Sequence, residues 1–301
     1  MTNALAEIGK EWDKAVAPVL YAQTIGRKLI PMNTGLSHKG IGMTEVAGYN
    51  YAERAAAVID YDIVEDNLIA DGIDVTVSTL KIPVQQDDAV IKRRTWEAMV
   101  RTGVTIQADL SKDMAALIAA QEDAMIINGW IADGTNYEIK GMFQVANNSA
   151  AGADFATYGN ALASVSAALD ALWTDNIYSE GYNLILHPTQ YGELIGSYST
   201  AGIWEYTQVL EQLNINAPAK PGKVFMSTNI PATNGLVAPV ASPANSRYFD
   251  LIEAFAPTHD LWIEGSQKTG PIHVRLVGAV VPRFKHLSNG ADNCICKITG
   301  I

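Results

Sequence analysis

The side chains that most often carry chemistry are sparse in this sequence, and their spacing defines little. Histidines stand at 38, 187, 259, 273 and 286, none at metal-ligand spacing from another histidine or from a cysteine. His187 precedes Pro188 and reads as the end of a strand rather than as a general base. Cys294 and Cys296 are one residue apart, which in a strand puts both thiols on one face and makes a mutual disulfide awkward. A soft metal would need a second cysteine pair or a nearby histidine, so ordinary packing is expected, with no cofactor and no metal. Gly35 to Gly42 superficially has the look of a phosphate loop but lacks the Lys-Ser/Thr pair, and no strand clearly precedes it; a flexible arm fits better. Asn147-Asn148-Ser149 forms a glycosylation sequon, which matters only in a secreted chain. No G-x-S-x-G elbow, H-E-x-x-H pair or G-x-G-x-x-G loop occurs. The expectation is a protein that is not an enzyme. The rival is a soluble enzyme with a site made of scattered residues, which would show itself as a His-Asp-Ser cluster in a deep pocket.

Charge is distributed more informatively. Asp60, Asp62, Glu65, Asp66, Asp71 and Asp74 follow one another with no base between them. Lys92, Arg93, Arg94 and Arg101 then face a single acid, Glu97. Two solvated faces would explain this, since exposed pairs contribute only about 0–1 kcal/mol each. The alternative is that the acidic part of one subunit meets the basic part of its neighbour. In a closed assembly such a modest contact repeats at every interface and can fix register. The candidate inter-subunit residues are therefore Asp60, Asp62, Glu65, Asp66, Lys92, Arg93, Arg94 and Arg101.

Composition points the same way. Only 18% of the 301 residues are charged, against about 25% in an average globular chain, which suits a surface covered by other subunits. The net charge of −11 repels phosphate backbones, so a sequence-reading nucleic-acid binder is not expected. A container for nucleic acid remains compatible, because containment needs no affinity. No signal peptide is visible, and no run of about 18 apolar residues could span a membrane. Two cysteines suit a reducing, cytoplasmic folding environment.

The elements that must position these residues follow from periodicity. Residues 3–30 read as an amphipathic helix and arm: Ala4, Leu5, Ile8, Trp12, Ala15 and Val19 recur at helical spacing, and Pro18 should end or bend the helix. Over 55–101, Ile59, Tyr61 and Ile63, then Ile73, Val75 and Val77, alternate with polar residues, as strands do. Leu80, Ile82 and Val84 continue in the other phase, which suggests a bulge at Ser78-Thr79. Such a two-stranded arm cannot bury both faces alone.

A long helix is expected over 109–130, about 33 Å in length, with Asp109 as N-cap, Gly129 as stop, and a stripe of Leu110, Met114, Leu117, Ile118, Gln121, Met125 and Asn128. A second helix, 159–174, carries Leu162, Val165, Leu169, Leu172 and Trp173. From Tyr182 the pattern is mixed. A short strand ends at His187-Pro188, helices follow near 189–195 and 203–213, and 223–228 reads as a strand. Residues 231–246 read as a loop rich in Pro, Ala, Asn and Gly, and strands over 271–285 and 292–299 close the chain.

In this order the parts resemble the HK97-like (Hong Kong 97-type) capsid fold, an α+β architecture of N-arm, E-loop β-hairpin, spine helix, peripheral domain and axial domain. Gly26-Arg27-Lys28-Leu29-Ile30-Pro31, Ser78 to Met99, Asp109 to Gly129 with Lys140-Gly141-Met142-Phe143, and Tyr182 to Pro188 resemble encapsulin-related phage capsid proteins. The resemblance implies an N-terminal helix and arm at 1–48, an E-loop at 49–102, spine helix and peripheral domain at 103–181, an axial domain at 182–262, and C-terminal strands returning to the peripheral domain at 263–301. It also implies a major capsid protein of a tailed bacteriophage. Such a subunit assembles with itself into pentamers and hexamers of an icosahedral shell around double-stranded DNA, with scaffolding, portal and decoration proteins as partners. It would be built in the host cytoplasm and end in the virion. The runner-up is an encapsulin shell around protein cargo. A longer E-loop region and the 231–246 loop depart from compact encapsulins and favour the phage reading. The first patterned helix begins almost at Met1, so a subunit that is not cleaved, with any scaffold a separate protein, is expected.

Overall fold

The structure is a computed structural model that describes residues 10, 12–14, 16, 18–20, 22–51, 75–102, 106–132, 134–215, 217, 219–266, 269–285 and 292–301. Helical positions run between 10 and 23, on both sides of Pro18, so that of the two expected effects, an end or a bend, the proline does not end the helix. Among the described residues Trp12, Val16 and Leu20 are buried, at i, i+4 and i+8. A one-turn helix α1 (Gly26–Leu29) follows, and residues 31–33 then lie beside strand β10 (Phe249–Ile263). Met32 bridges Leu251, the Leu251 N–H donates to Pro31 O at 2.9 Å, and the Asn33 N–H donates to Leu251 O at 2.8 Å.

The E-loop hairpin consists of β1 (Glu45–Tyr51) and β2 (Val75–Lys81), paired antiparallel from Glu45↔Lys81 to Tyr51↔Val75. The register is unbroken, so the expected bulge at Ser78-Thr79 is absent. The expected strand around Ile59, Tyr61 and Ile63 lies outside the described residues. β3 (Val84–Ile91) joins a three-stranded antiparallel sheet, β10-β11-β3, through β11 (Ile272–Phe284). Helix α2 (Arg93–Thr102) then leads to the spine helix α3 (Ile106–Asn128).

α3 begins three residues earlier than expected, which places Asp109 in its first turn rather than at its cap. There its charge suits the helix dipole. Gly129 ends the helix at φ +87, and a Cβ there would meet Ile139 O at 2.6 Å. The buried face is rotated from the expected stripe. Leu117 is 59% exposed and Gln121 and Asn128 face outward, whereas Ser111, Ala115, Ala119, Glu122, Asp123 and Ile126 turn inward. The rotation brings two carboxylates against α1 and β10, where cationic and N–H partners meet them.

The hairpin of β4 (Trp130–Ile131) and β5 (Tyr137–Ile139) and a short helix α4 (Met142–Val145) precede β6 (Ala146–Ala151). Helix α5 (Asn160–Thr174) buries Ala161, Val165, Ala168, Leu169 and Leu172, close to the expected face. β7 (Tyr182–Leu186), α6 (Pro188–Gly196), α7 (Glu205–Leu213) and β8 (Val224–Met226) follow the sequence pattern. The expected loop at 231–246 instead contains β9 (Asn234–Pro239), whose Leu236, Val237 and Ala238 are buried. A fully enclosed strand needs only a short apolar run, and the flanking Pro and Asn residues had masked it. β12 (Asp292–Thr299) completes the sheet β6-β12-β9-β7-β8. This sheet draws strands from both sides of the expected divisions at 181/182 and 262/263. The main core spans it, α5 and the root of the hairpin. A second core joins Trp12, Val16 and Leu20 to Trp96, Met114, Ile118, Ile272, Val274 and Leu276.

Candidate inter-subunit surface

The β1–β2 hairpin is a ribbon whose seven pairs span about 24 Å. No third strand joins it among the described residues. Its root is fixed by contacts with the rest of the subunit. Val46 and Ile82 belong to the main core, the Ile82 N–H donates to Thr44 O at 2.9 Å, and Arg283 Nη1 donates to Ala47 O at 3.0 Å. Beside the root, between β3 and α3, opens an apolar groove of about 520 Å³ lined by Val84, Leu117, Ile118, Met125 and Trp130. Val84, Leu117 and Trp130 are 57%, 59% and 43% exposed, an apolar surface of the kind that marks a partner site.

The basic residues gather on and just before α2. Arg93 Nε donates to Glu97 Oε1 at 3.0 Å, one turn along, while Lys92, Arg94 and Arg101 are exposed. Arg94 and Arg101 are seven residues apart and share a face. The opposite side of α2 packs Trp96 against Trp12, with ring centroids 6.2 Å apart. Asp60, Asp62, Glu65 and Asp66 lie outside the described residues, as do Asp71 and Asp74. The structure thus places the basic half of the expected pairing and leaves the acidic half open.

Sequence reasoning missed the buried charges that hold the arm. Arg27 Nε and Nη2 donate to Glu122 Oε1 and Oε2 at 2.7 and 3.1 Å, and Nη2 also donates to Glu253 Oε1 at 3.0 Å. Burial works against the guanidinium charge, but the two carboxylates outweigh it and hold Arg27 charged. Burial pushes Glu122 above the ordinary carboxylate range, against the pull of Arg27. Asp123 accepts the Ile25 and Gly26 N–H groups at 2.9 and 2.8 Å, supplying to α1 the cap that Ile25 cannot. Burial pushes its carboxyl upward too, against those two hydrogen bonds.

Further along, Asp250 accepts from Arg283 at 2.9 and 2.6 Å and from Asn33 Nδ2 at 2.8 Å, with Lys285 Nζ at 3.1 Å. Burial would raise the Asp250 carboxyl, but these partners outweigh it and hold it below the usual range. Acids and bases interrupting otherwise apolar stretches, at Arg27, Asp250, Glu253 and Arg283, were the available signal.

One arrangement has the connectivity of a hydrolytic triad. Ser111 Oγ lies 3.2 Å from His259 Nε2, and His259 Nδ1 lies 2.9 Å from Asp13 Oδ1. Ser111 and the His259 ring are fully enclosed, Trp12 covers the ring edge-on at 5.4 Å, and the surface grooves are lined by other residues. Asp13 also accepts the His259 N–H at 2.8 Å, so the cluster acts as a clasp joining the N-terminal helix to α3 and β10.

The remaining candidates are structural. His187 caps α6, its Nδ1 accepting the Thr189 N–H at 3.3 Å. His273 pairs with Glu264 at 2.8 Å. Cys294 and Cys296 are buried, and burial pushes the Cys296 thiol up to about 11, which keeps it protonated and unreactive. Among the described residues no group of three or more His, Cys, Asp or Glu could hold a metal ion, and no helix is long and apolar enough to cross a membrane.

Known structures share this arrangement of a ribbon rooted beside a long helix with a mixed sheet beyond only as far as their overall likeness goes. A virus-like particle from Pyrococcus furiosus is similar over 96% of this chain and 98% of its own, at 13% identity and a TM-score of 0.59. The capsid of Myoviridae phage XM1 is similar over 91% and 90%, at 12% identity and 0.56. The capsid of cyanophage P-SCSP1u is similar over 92% and 88%, at 14% identity and 0.52. A comparison with curated protein sequences gives no match. At these identities the likeness establishes the fold alone, and that fold is HK97-like. Residues 4–230 match the Linocin_M18 family, described as "Encapsulating protein for peroxidase", and the chain belongs to that family.

Proposed function

We propose that this chain is the major capsid subunit of a tailed bacteriophage, closing as pentamers and hexamers into an icosahedral shell around double-stranded DNA. The observation that carries the reading is the β1–β2 ribbon, which has no third strand in its own chain among the described residues. An isolated two-stranded hairpin is marginal in water, so another subunit must cover it. In this reading the acids Asp60, Asp62, Glu65 and Asp66 of one subunit meet Lys92, Arg93, Arg94 and Arg101 of the next. The net charge of −11 lets packed DNA sit against the wall without sticking. Scaffolding, portal and decoration proteins are the expected partners, assembly takes place in the host cytoplasm, and the mature location is the virion. No reaction is assigned to the chain. The divisions 1–48, 49–102, 103–181, 182–262 and 263–301 are proposed as its functional units.

A second reading, an encapsulin-type shell around protein cargo, is favoured by the family match over 4–230. It gains from the finding that 231–246 holds a core strand, because that stretch had set the chain apart from compact encapsulins. Particles purified from the natural source separate the readings. Nuclease-resistant DNA inside them supports the capsid, an enclosed stoichiometric protein supports the encapsulin, and absence of particles by negative-stain microscopy overturns both.

A further inference from the structure

A groove of about 240 Å³ is lined by Lys28 of α1, by the segment that enters β8 and by the segment that leaves β9. Lys28 and Lys223 bring two cations to it from distant parts of the chain, and both are exposed. Lys28 Nζ donates to the Ala22 carbonyl at 3.0 Å. Glu180 is the acid on the lining, and it forms an ion pair with neither lysine. The wall that carries Lys223 is held by two enclosed amides. Asn214 Oδ1 accepts the Gly222 N–H at 2.7 Å and its Nδ2 donates to Gly222 O at 3.1 Å, while Asn183 Oδ1 accepts the Lys223 N–H at 3.1 Å. The turn before it holds Lys220 at φ +45, a conformation that a non-glycine residue keeps only where its surroundings impose it. Ser242 adds a hydroxyl to the lining. It is 9% exposed and precedes the turn Pro243–Arg247, yet that hydroxyl caps nothing and has no hydrogen-bond partner among the described residues. An enclosed polar group left unpaired costs about 1–3 kcal/mol, and the packing around Ser242 gives no return for it.

We propose that this groove binds a phosphate group, as the free ion or on a small monoester, between the ammonium groups of Lys28 and Lys223, with the Ser242 hydroxyl as a third donor. Lysine serves phosphate as a compact point charge. Two of them match the charge of nearly −2 that a phosphate monoester carries at neutral pH. Donors from three separate segments suit the oxygens of a tetrahedral anion, whereas a planar carboxylate has two oxygens to offer. The volume admits a phosphate with a ring-sized body against Phe225 and Val240, and not a nucleic-acid helix. In a chain of net charge −11 the attraction is local, so added salt weakens it. A bound phosphate bridges α1 to the five-stranded sheet and stabilises the subunit by mass action.

The test is calorimetric titration of the full chain in chloride buffer with inorganic phosphate, phenyl phosphate and acetate, on wild type, Lys28→Gln, Lys223→Gln and Ser242→Ala. Wild type should bind one phosphate per chain. Each lysine variant should bind about tenfold more weakly, the worth of one hydrogen bond to a charged group. Both lysines are exposed, so these variants should melt like wild type in chloride. Ser242→Ala should weaken binding severalfold without lowering the melting temperature in chloride, since its hydroxyl bonds to nothing there. Phosphate should raise the melting temperature of wild type above that in chloride of equal ionic strength, and Lys223→Gln should lose the rise. Tighter binding of phenyl phosphate than of inorganic phosphate assigns the site to a monoester, and equal binding assigns it to the free ion. No saturable binding by wild type at millimolar phosphate overturns the proposal. So does an affinity undiminished in the two lysine variants, or acetate binding as tightly as phosphate.

Discussion

The five-stranded sheet and the β1–β2 ribbon are both β-structure, and they satisfy their burial in opposite ways. In the sheet, every residue of β7 is buried and its neighbours β8 and β9 come from the same chain. In the ribbon, Val46 and Ile82 at the root are buried, while Thr79 and Lys81 face solvent, and among the described residues no third strand arrives. Burying a Leu- or Ile-sized side chain contributes about 1.5–3 kcal/mol, so the sheet can hold the subunit together by itself. In the proposed shell, the ribbon realises its share against another copy. In that reading, folding and assembly are carried by separate parts of one chain.

The largest expected effect removes the ribbon. Replacing residues 49–77 by a short Gly-Asn turn should abolish particles by sedimentation and electron microscopy while leaving circular dichroism and cooperative unfolding of the remaining subunit in place. Particles of normal size from this variant would break the distinction between the two regions.

Next in size is the junction beside the main core. Arg27→Ala leaves Glu122 and Glu253 enclosed without their cation, and removing one partner of a buried pair costs about 3–5 kcal/mol. Denaturant unfolding should show that loss. A loss below about 1 kcal/mol for Arg27→Ala would mean that the junction behaves as a hydrated surface pair.

The same contrast explains what the sequence disclosed. Helix α5 and strands β7, β11 and β12 were legible because their periodicity is local and uninterrupted. The spine helix was legible in type and length but not in face, since Glu122 and Asp123 turn inward toward partners almost a hundred residues away. β10 received no assignment for a related reason. Its first half reads Phe-Asp-Leu-Ile-Glu-Ala, and the two acids look like surface residues until Arg283 and Arg27 neutralise them. The Asp13, Ser111 and His259 cluster likewise joins three distant segments, and no spacing rule finds it. The basic candidates could be placed on α2, but nothing in their spacing identifies what they meet.

A smaller effect sharpens the assembly side. Reversing Arg93 and Arg94 to Glu should lower particle yield severalfold in dilute salt while the subunit stays soluble and helical. Reversing Asp62 and Glu65 to Lys should restore part of it. Since the screening length shrinks from about 10 Å at 0.1 M salt to about 3 Å at 1 M, the defect should fade as salt is added. A yield indifferent to the reversal at both salt concentrations would mean that these charges only face solvent.

The smallest effect concerns the clasp. Ser111→Ala removes a hydroxyl that lies between His259 Nε2 and the Trp12 carbonyl, at 3.2 and 3.5 Å. A buried hydrogen bond contributes about 1 kcal/mol net. The cost should stay near that figure, because Asp13 continues to hold His259 through two contacts at 2.8 and 2.9 Å. Assembly should be unchanged, since the cluster lies within one subunit. The same variant tests whether the triad-like order of these groups has chemical meaning. An enclosed serine cannot meet an ester, so wild type and Ser111→Ala should hydrolyse an activated ester at the same background rate. A wild-type rate above that background, abolished in a variant that still folds and assembles, would show that the N-terminal helix opens to admit substrate. It would also give this region a reaction that neither the sheet nor the ribbon accounts for.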